Sequence, residues 1–225
     1  MMADGSIATA VSDRTVPIAP EDAMRAQMYD LLAALLRAAP DAAMLDALSR
    51  LEGDDAGTND AGGDDGDTDI GRAVGALARI AAATDEARAR REYHDLFVGI
   101  GRGELVPYGS YYLTGFLNEK PLGELRREMR ARGLARAESV REPEDHIASL
   151  MEMMASLIEG RHGAPASVAS QASFFSAHVE PWAVHFFKDL EAAEGAVLYA
   201  PVGTIGRALM GVEADAFAMD GSARG

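Results

Sequence analysis

No stretch of this chain alternates polar and apolar residues for long enough to make a strand. Apolar residues return instead at spacings of three and four, segment after segment, which lets each segment bury one stripe of a helix and little else. From Glu21 to Arg37 the stripe is Met24, Met28, Leu31, Leu32, Leu35 and Leu36, and Ala39-Pro40 ends it. Asp41 is placed to cap a short second helix carrying Met44, Leu45 and Leu48. The pattern predicts further helices over 70–83, with Val74, Leu77 and Ile80 inward, and over 85–96. Ser110 reads as an N-cap for a helix bearing Tyr111, Tyr112, Leu113, Phe116 and Leu117. Pro121 opens another with Leu122, Leu125 and Met129, stopped by Gly133. After Gly163 the spacing predicts helices over 165–178, 181–193 and 197–210, with a small, polar tail from Gly211 that should fray. The expectation is an all-α, single-domain bundle of about nine to ten helices.

The stretch from Arg141 to Met154 organises the others. Pro143 suits a first helical position, and Glu144 and Asp145 would oppose the positive end of the helix dipole there. Ile147, Leu150, Met151, Met154, Leu157 and Ile158 form the inward stripe; Asp145, Ser149, Glu152 and Ser156 form the wet one. His146 falls on the border, with Glu142 one turn away.

Two segments fall outside the helical pattern. Residues 1–20 lack both the basic region and the apolar run of a signal peptide, and are expected to be a disordered tail. Residues 52–69 hold seven Asp and one Glu without Lys or Arg, so they carry −8 of a net charge of −15. Asp65, Asp67 and Asp69 imitate alternate calcium ligands, yet Ile70 stands where the turn glycine belongs and Ala76 where the bidentate Glu belongs. A flexible acidic insertion is the better reading, because such a composition buries too little area to offset its ordering entropy. The folded domain is thus expected over 21–212, followed by a tail at 213–225.

Charge and composition exclude several function classes. Strong acidity argues against nucleic acid and favours a cationic partner. The absence of cysteine removes disulfides, thiolate metal sites and thiol nucleophiles. No uncharged run reaches the ~18 residues of a membrane span, so no stable membrane insertion and a cytoplasmic protein are expected. Gly99, Gly101 and Gly103 superficially imitate a phosphate loop, without the Lys-Ser/Thr or the strand that such a loop requires. The five histidines make no close ligand pair, since Pro181 interrupts the register between His178 and His185. No nucleophile elbow is present, and no metal or cofactor is expected. What remains is an Asp-His pair and an aromatic set, Phe97, Tyr108, Tyr111, Tyr112 and Phe116, that straddles a glycine-rich loop and could line a groove.

The succession Tyr93-x-x-Leu96-Phe97-x-Gly99, Pro107-x-x-Ser110-x-Tyr112-Leu113, Glu142-Pro143-x-Asp145-His146-Ile147 and His178-x-x-x-Trp182 resembles the TorD/DmsD family of cytoplasmic molybdoenzyme chaperones, over about residues 22–212. The resemblance implies a TorD-like helical protein, not an enzyme, that binds the twin-arginine leader and the apo form of a molybdopterin oxidoreductase subunit until its cofactor is inserted. It maps leader binding onto Asp145, His146, Gly99, Pro107, Tyr108, Ser110 and Tyr112. A leader carries two arginines before an apolar run, so Asp145, helped by Glu142 or Glu144, is expected to take an arginine, while Phe97, Tyr108 and Tyr112 receive the run. Two positions depart from the family pattern: Ile100 stands where a proline is frequent, and Tyr108 where tryptophan is frequent. The competing readings are a nitrate-reductase type of assembly chaperone, whose client stays on the cytoplasmic side, a helical metal-dependent hydrolase using Asp145 and His146, and an interaction module using the acidic loop. A monomer is expected, with helix swapping as the route to a dimer.

Overall fold

The computed structural model describes residues 18–53, 65–99, 103–134 and 142–222. Most of the expected N-terminal tail and of the acidic insertion, as well as Gly101, lie outside these residues. Among the described residues there are ten α-helices, one π turn and no strand, so the all-α expectation holds. The helices are α1 (Pro20–Arg37), α2 (Ala42–Ser49), α3 (Asp65–Ala82), α4 (Glu86–Tyr93), α5 (Gly109–Thr114), α6 (Lys120–Ala131), α7 (Ile147–Glu159), α8 (Val168–His178), α9 (Glu180–Ala192) and α10 (Tyr199–Ser222). The π turn, His94–Val98, continues α4.

Local chemistry sets most of the ends. Pro20 starts α1, and Glu21 and Asp22 face its dipole. The Asp41 carboxylate accepts from the Met44 N–H at 2.8 Å, and Asp85 accepts from the Arg88 N–H at 2.8 Å. Gly160 closes α7 in the left-handed region at φ 73°. A Cβ there would also lie 2.4 Å from the Pro165 nitrogen, so glycine is required twice over.

Packing centres on α7, whose Ile147, Leu150, Met151, Met154 and Ile158 are all buried. It lies against α1, while α10 lies between α9 and α3, and α2 rests on α3. Phe174, Phe175, Trp182, Phe186 and Phe187 from α8 and α9 complete the core with Tyr29 and Tyr199. The Tyr199 hydroxyl donates to the Leu35 carbonyl at 2.9 Å, and Glu92 accepts from the Val197 and Tyr199 N–H groups, which fixes the start of α10.

Four sequence expectations change. First, α3 begins at Asp65, so the last residues of the acidic stretch are helical, with Asp69 paired to Arg72. Second, the tail does not fray at Gly211: α10 runs to Ser222. Glu213, only 1% exposed, accepts from Arg25 Nε at 2.7 Å and Nη2 at 2.8 Å, and from the Tyr29 hydroxyl at 3.0 Å. A buried carboxylate with a forked guanidinium and a phenol outweighs weak local helix propensity. Third, α7 begins at Ile147 rather than Pro143, because the His146 imidazole takes the cap position. Fourth, Asp145 and Ser149 are buried and Ser156 is half-buried, leaving Glu152 as the exposed residue of the expected wet stripe.

The Glu213 cluster yields a stability test. Glu213→Gln leaves Arg25 and Tyr29 facing a neutral amide and should cost about 3 kcal/mol, read as a lower urea midpoint at unchanged slope.

Candidate functional site

The candidate site forms where two chain segments reach helix starts side by side. Tyr108 and His146 make an isolated antiparallel bridge. The Ile147 N–H donates to the Pro107 carbonyl at 2.9 Å, and the Gly109 N–H donates to the Asp145 carbonyl at 2.9 Å. Side chains then finish the junction. Asp145 Oδ2 accepts from the Ser110 N–H at 2.8 Å, so Asp145 caps α5 from 35 residues away. Ser110 is therefore not the cap that its local sequence predicts; it is buried inside the first turn, and its hydroxyl accepts from the Asn118 N–H at 3.2 Å. Nor does Asp145 serve the dipole of its own helix.

Gly109 is held close to α9. A Cβ on it would lie 2.9 Å from Trp182 Nε1, whose N–H donates to the His178 carbonyl. His146 is 6% exposed, and its Nδ1 accepts from the Ala148 N–H at 3.1 Å, which puts the proton of the neutral ring on Nε2. Burial, reinforced by the positive charge of Arg37, lowers its pKa from 6.5 to about 3. The Tyr108 ring meets the imidazole edge to face at 5.0 Å. Its hydroxyl donates a short hydrogen bond to Glu142, and burial together with that carboxylate raises the phenol pKa.

Glu144 points elsewhere: it accepts from Arg126 Nε at 2.8 Å and Nη2 at 2.7 Å. Arg37 is likewise engaged, by Ser149 at 3.2 Å and Glu152 at 2.6 Å.

Beside this junction opens an apolar groove of about 440 Å³. One wall comes from the π turn and the strand-like run after it, including Phe97, Val98, Leu105 and Pro107; the other comes from Tyr111, Phe116 and Leu117 on and after α5. The π turn closes with the Gly99 N–H donating to the His94 carbonyl at 2.7 Å, and Gly99 takes φ 60°, which a glycine accepts without strain. Returning, the Leu105 N–H donates to the Leu96 carbonyl at 2.8 Å, so the run folds back along the turn. Phe116 is 70% exposed, and Val98 and Leu117 are exposed as well.

Of the residues singled out from sequence, Phe97, Pro107 and Tyr108 line this groove, and Gly99 shapes its rim. Glu142 is exposed and reaches it through Tyr108. Asp145, His146 and Ser110 are buried behind it, and Glu144 is committed to Arg126. Tyr112 faces away: its hydroxyl donates to Asp189 at 2.8 Å and its ring packs on Trp182 at 5.4 Å. Leu105, Val106 and Leu117 belong to the groove but were not among the expected site residues. Short apolar runs beside a glycine loop give no periodic signal, and of these three only Leu117 is exposed, while Leu105 is buried.

Relatives fit this architecture. The family model described as nitrate reductase delta subunit matches residues 64–188. The chaperone protein TorD of Vibrio cholerae serotype O1 is 30% identical over 155 residues, spanning 65% of this chain and 70% of the relative. The chain belongs to this family. TorD of Vibrio atlanticus is 32% identical over 88 residues, 38% of this chain and 41% of that protein. The crystal structure of a proposed redox enzyme maturation protein from Archaeoglobus fulgidus has a TM-score of 0.53 at 21% identity, covering 82% of this chain and 91% of the other, which bears on the fold alone. The TorD-type maturation family is a chaperone family, so the hydrolase reading of Asp145 and His146 is set aside. In the structure Asp145 Oδ2 and His146 Nδ1 accept from backbone N–H groups. No described helix is long and apolar enough to cross a membrane.

Titration of His146 gives a pH test. The unfolded ring protonates near 6.5 and the folded ring only near 3, so between these values the unfolded state binds more protons and stability falls as pH falls. From pH 7 to pH 5 this imidazole should remove about 2 kcal/mol of unfolding free energy. His146→Asn keeps an acceptor for the Ala148 N–H and removes the titration. Its stability should therefore change less over the same interval in urea denaturation series at each pH.

Proposed function

We propose that this chain is a cytoplasmic maturation chaperone that holds the twin-arginine leader of a molybdopterin oxidoreductase subunit, and with it the apo subunit, until the cofactor is inserted and the subunit is exported. The observation that carries this reading is the groove itself. It exposes Val98, Phe116 and Leu117 on one open apolar surface and has a carboxylate, Glu142, tied to its wall by the Tyr108 hydroxyl. An apolar stretch preceded by two cations needs both features in that order. The net charge of −15 adds long-range attraction for a cationic segment. In this reading the roles expected from sequence are redistributed. Glu142 receives an arginine at the groove mouth, Phe97, Pro107, Tyr108 and Phe116 receive the apolar run, and Asp145, His146 and Ser110 hold the two walls in register. Tyr112 and Glu144 support the walls without meeting the peptide. The protein acts as a monomer, and no nucleic acid or cofactor takes part.

The match to the nitrate reductase delta subunit model favours a second reading, an assembly chaperone whose client remains on the cytoplasmic side. That client would be recognised through its mature subunit rather than through a leader.

Calorimetric titration separates the two. A synthetic twin-arginine leader should bind saturably, a Lys-Lys version more weakly, and Phe116→Ala should weaken the native leader by about tenfold through lost apolar contact. Binding of a leaderless apo subunit with no leader affinity would establish the second reading instead.

A further inference from the structure

The outer wall of the groove stands on a fixed turn. Phe116 is 70% exposed and Leu117 47%, both in the short connection between α5 and α6. Such a connection can leave its N–H groups to water, yet three of them are bonded within the protein. The Gly115 N–H donates to the Tyr111 carbonyl at 2.7 Å, the Phe116 N–H to Thr114 Oγ1 at 3.2 Å and the Asn118 N–H to Ser110 Oγ at 3.2 Å. Gly115 takes φ 81°, the left-handed stop that glycine favours. Asn118 takes φ 61° and is the one non-glycine at positive φ among the described residues. Asparagine tolerates that region better than most residues do, but it persists there only where the surroundings over-determine it.

Thr114 links this turn to the junction. Its hydroxyl donates to the Ser110 carbonyl at 2.7 Å while accepting from the Phe116 N–H, which uses its one donor and one of its two lone pairs. Ser110 is fully buried, with its own N–H on Asp145 Oδ2. A chain of hydrogen bonds therefore runs from the junction through Ser110 and Thr114 to the backbone of Phe116. Thr114 itself is exposed and does not line the groove. Local hydroxyl bonds often close a helix end. What they hold here is a large aromatic side chain turned to solvent, whose fixing gains no apolar burial in the free protein. Fixing it in advance lowers the ordering cost when a partner covers it.

We propose that Thr114 is a specificity-determining positioning residue: by holding the 114–118 turn it presets the Phe116 ring as a wall of the groove, and so sets the preference of the groove for bulky aliphatic side chains over small ones. The inference rests on the reading of the groove as the site of the leader's apolar run. Walls at a fixed spacing gain with each methylene that fills the space between them, whereas a wall free to move loses part of that gain to ordering. Selection of the two cations is a separate matter. Glu142 is held by the Tyr108 hydroxyl, at the start of α5 rather than at its end.

Calorimetric titration of the full-length protein uses three synthetic leaders: twin arginines before a leucine run, twin arginines before an alanine run, and Lys-Lys before the leucine run. Thr114→Val keeps the branched shape and removes both hydrogen bonds; Thr114→Ser keeps the hydroxyl. The valine variant should bind the leucine leader about fivefold more weakly, the effect of one neutral hydrogen bond, and the alanine leader nearly as the wild type does. Its preference for leucine over alanine therefore shrinks, while its preference for arginine over lysine is unchanged. Thr114→Ser should restore the leucine preference. Combined with Phe116→Ala, Thr114→Val should add no further loss, because the ring that it positions is gone. Far-UV circular dichroism and the urea midpoint check folding, and Thr114→Ala replaces the valine variant if valine disturbs the turn. An unchanged leucine preference in the folded variant, a serine variant as weak as the valine one, or additive losses in the double variant overturns this proposal alone. Failure of the wild-type protein to bind any of the leaders overturns the reading of the groove and this inference with it.

Discussion

The junction between residues 107–110 and 145–147 is the interaction on which the site depends. Three backbone N–H groups at two helix starts, those of Gly109, Ser110 and Ile147, find acceptors across the junction rather than within their own helices. Helix starts leave N–H donors unsatisfied, and burying such donors without acceptors costs free energy for each. Crossing the two starts solves both at once, and it ties α5, a helix too short to hold itself, to α7, the most buried one.

This arrangement redistributes the chemistry of the polar motif. Asp145, His146 and Ser110 look like ligand-facing groups in the sequence, yet each is buried and bonded to backbone. The exposed apolar surface of the groove comes from residues that carry no catalytic signature, Val98, Phe116 and Leu117, beside the Tyr108–Glu142 pair. A binding protein needs shape and a few charges at the rim, while an enzyme needs a reactive group presented to its substrate. The molecule has the first arrangement, in keeping with its family.

The opposite end of the bundle is secured by a different device. Glu213 draws Arg25 and Tyr29 into one buried cluster, and the Arg25 guanidinium lies 5.7 Å from the Phe217 ring centroid, so α10 is clamped to α1 well beyond the point where its apolar spacing fades. With α1 against α7, α10 is fastened through α1 to the helix that carries the junction.

Helix identity was legible in the sequence because it depends on local quantities: apolar spacing at three and four, Asp41 and Pro121 at starts, Gly133 at a stop. The groove was legible in part, through Phe97, Pro107 and Tyr108, since aromatic residues around a glycine loop have few reasons to cluster otherwise. Local reasoning failed where a partner distant in sequence takes over. The Asp145 carboxylate displaced Ser110 as a cap from 35 residues away, and Arg25 kept α10 helical from 188 residues away. Tyr112 turned to Asp189 for the same reason, because a hydroxyl on a half-buried ring goes to whichever acceptor the packing brings near. The sequence by itself therefore determined the all-α class, most helix boundaries and the motif around which the site forms. Only the tertiary structure decided which motif residues are buried behind the junction and which line the open groove, because burial and long-range hydrogen bonding are properties of the packed chain.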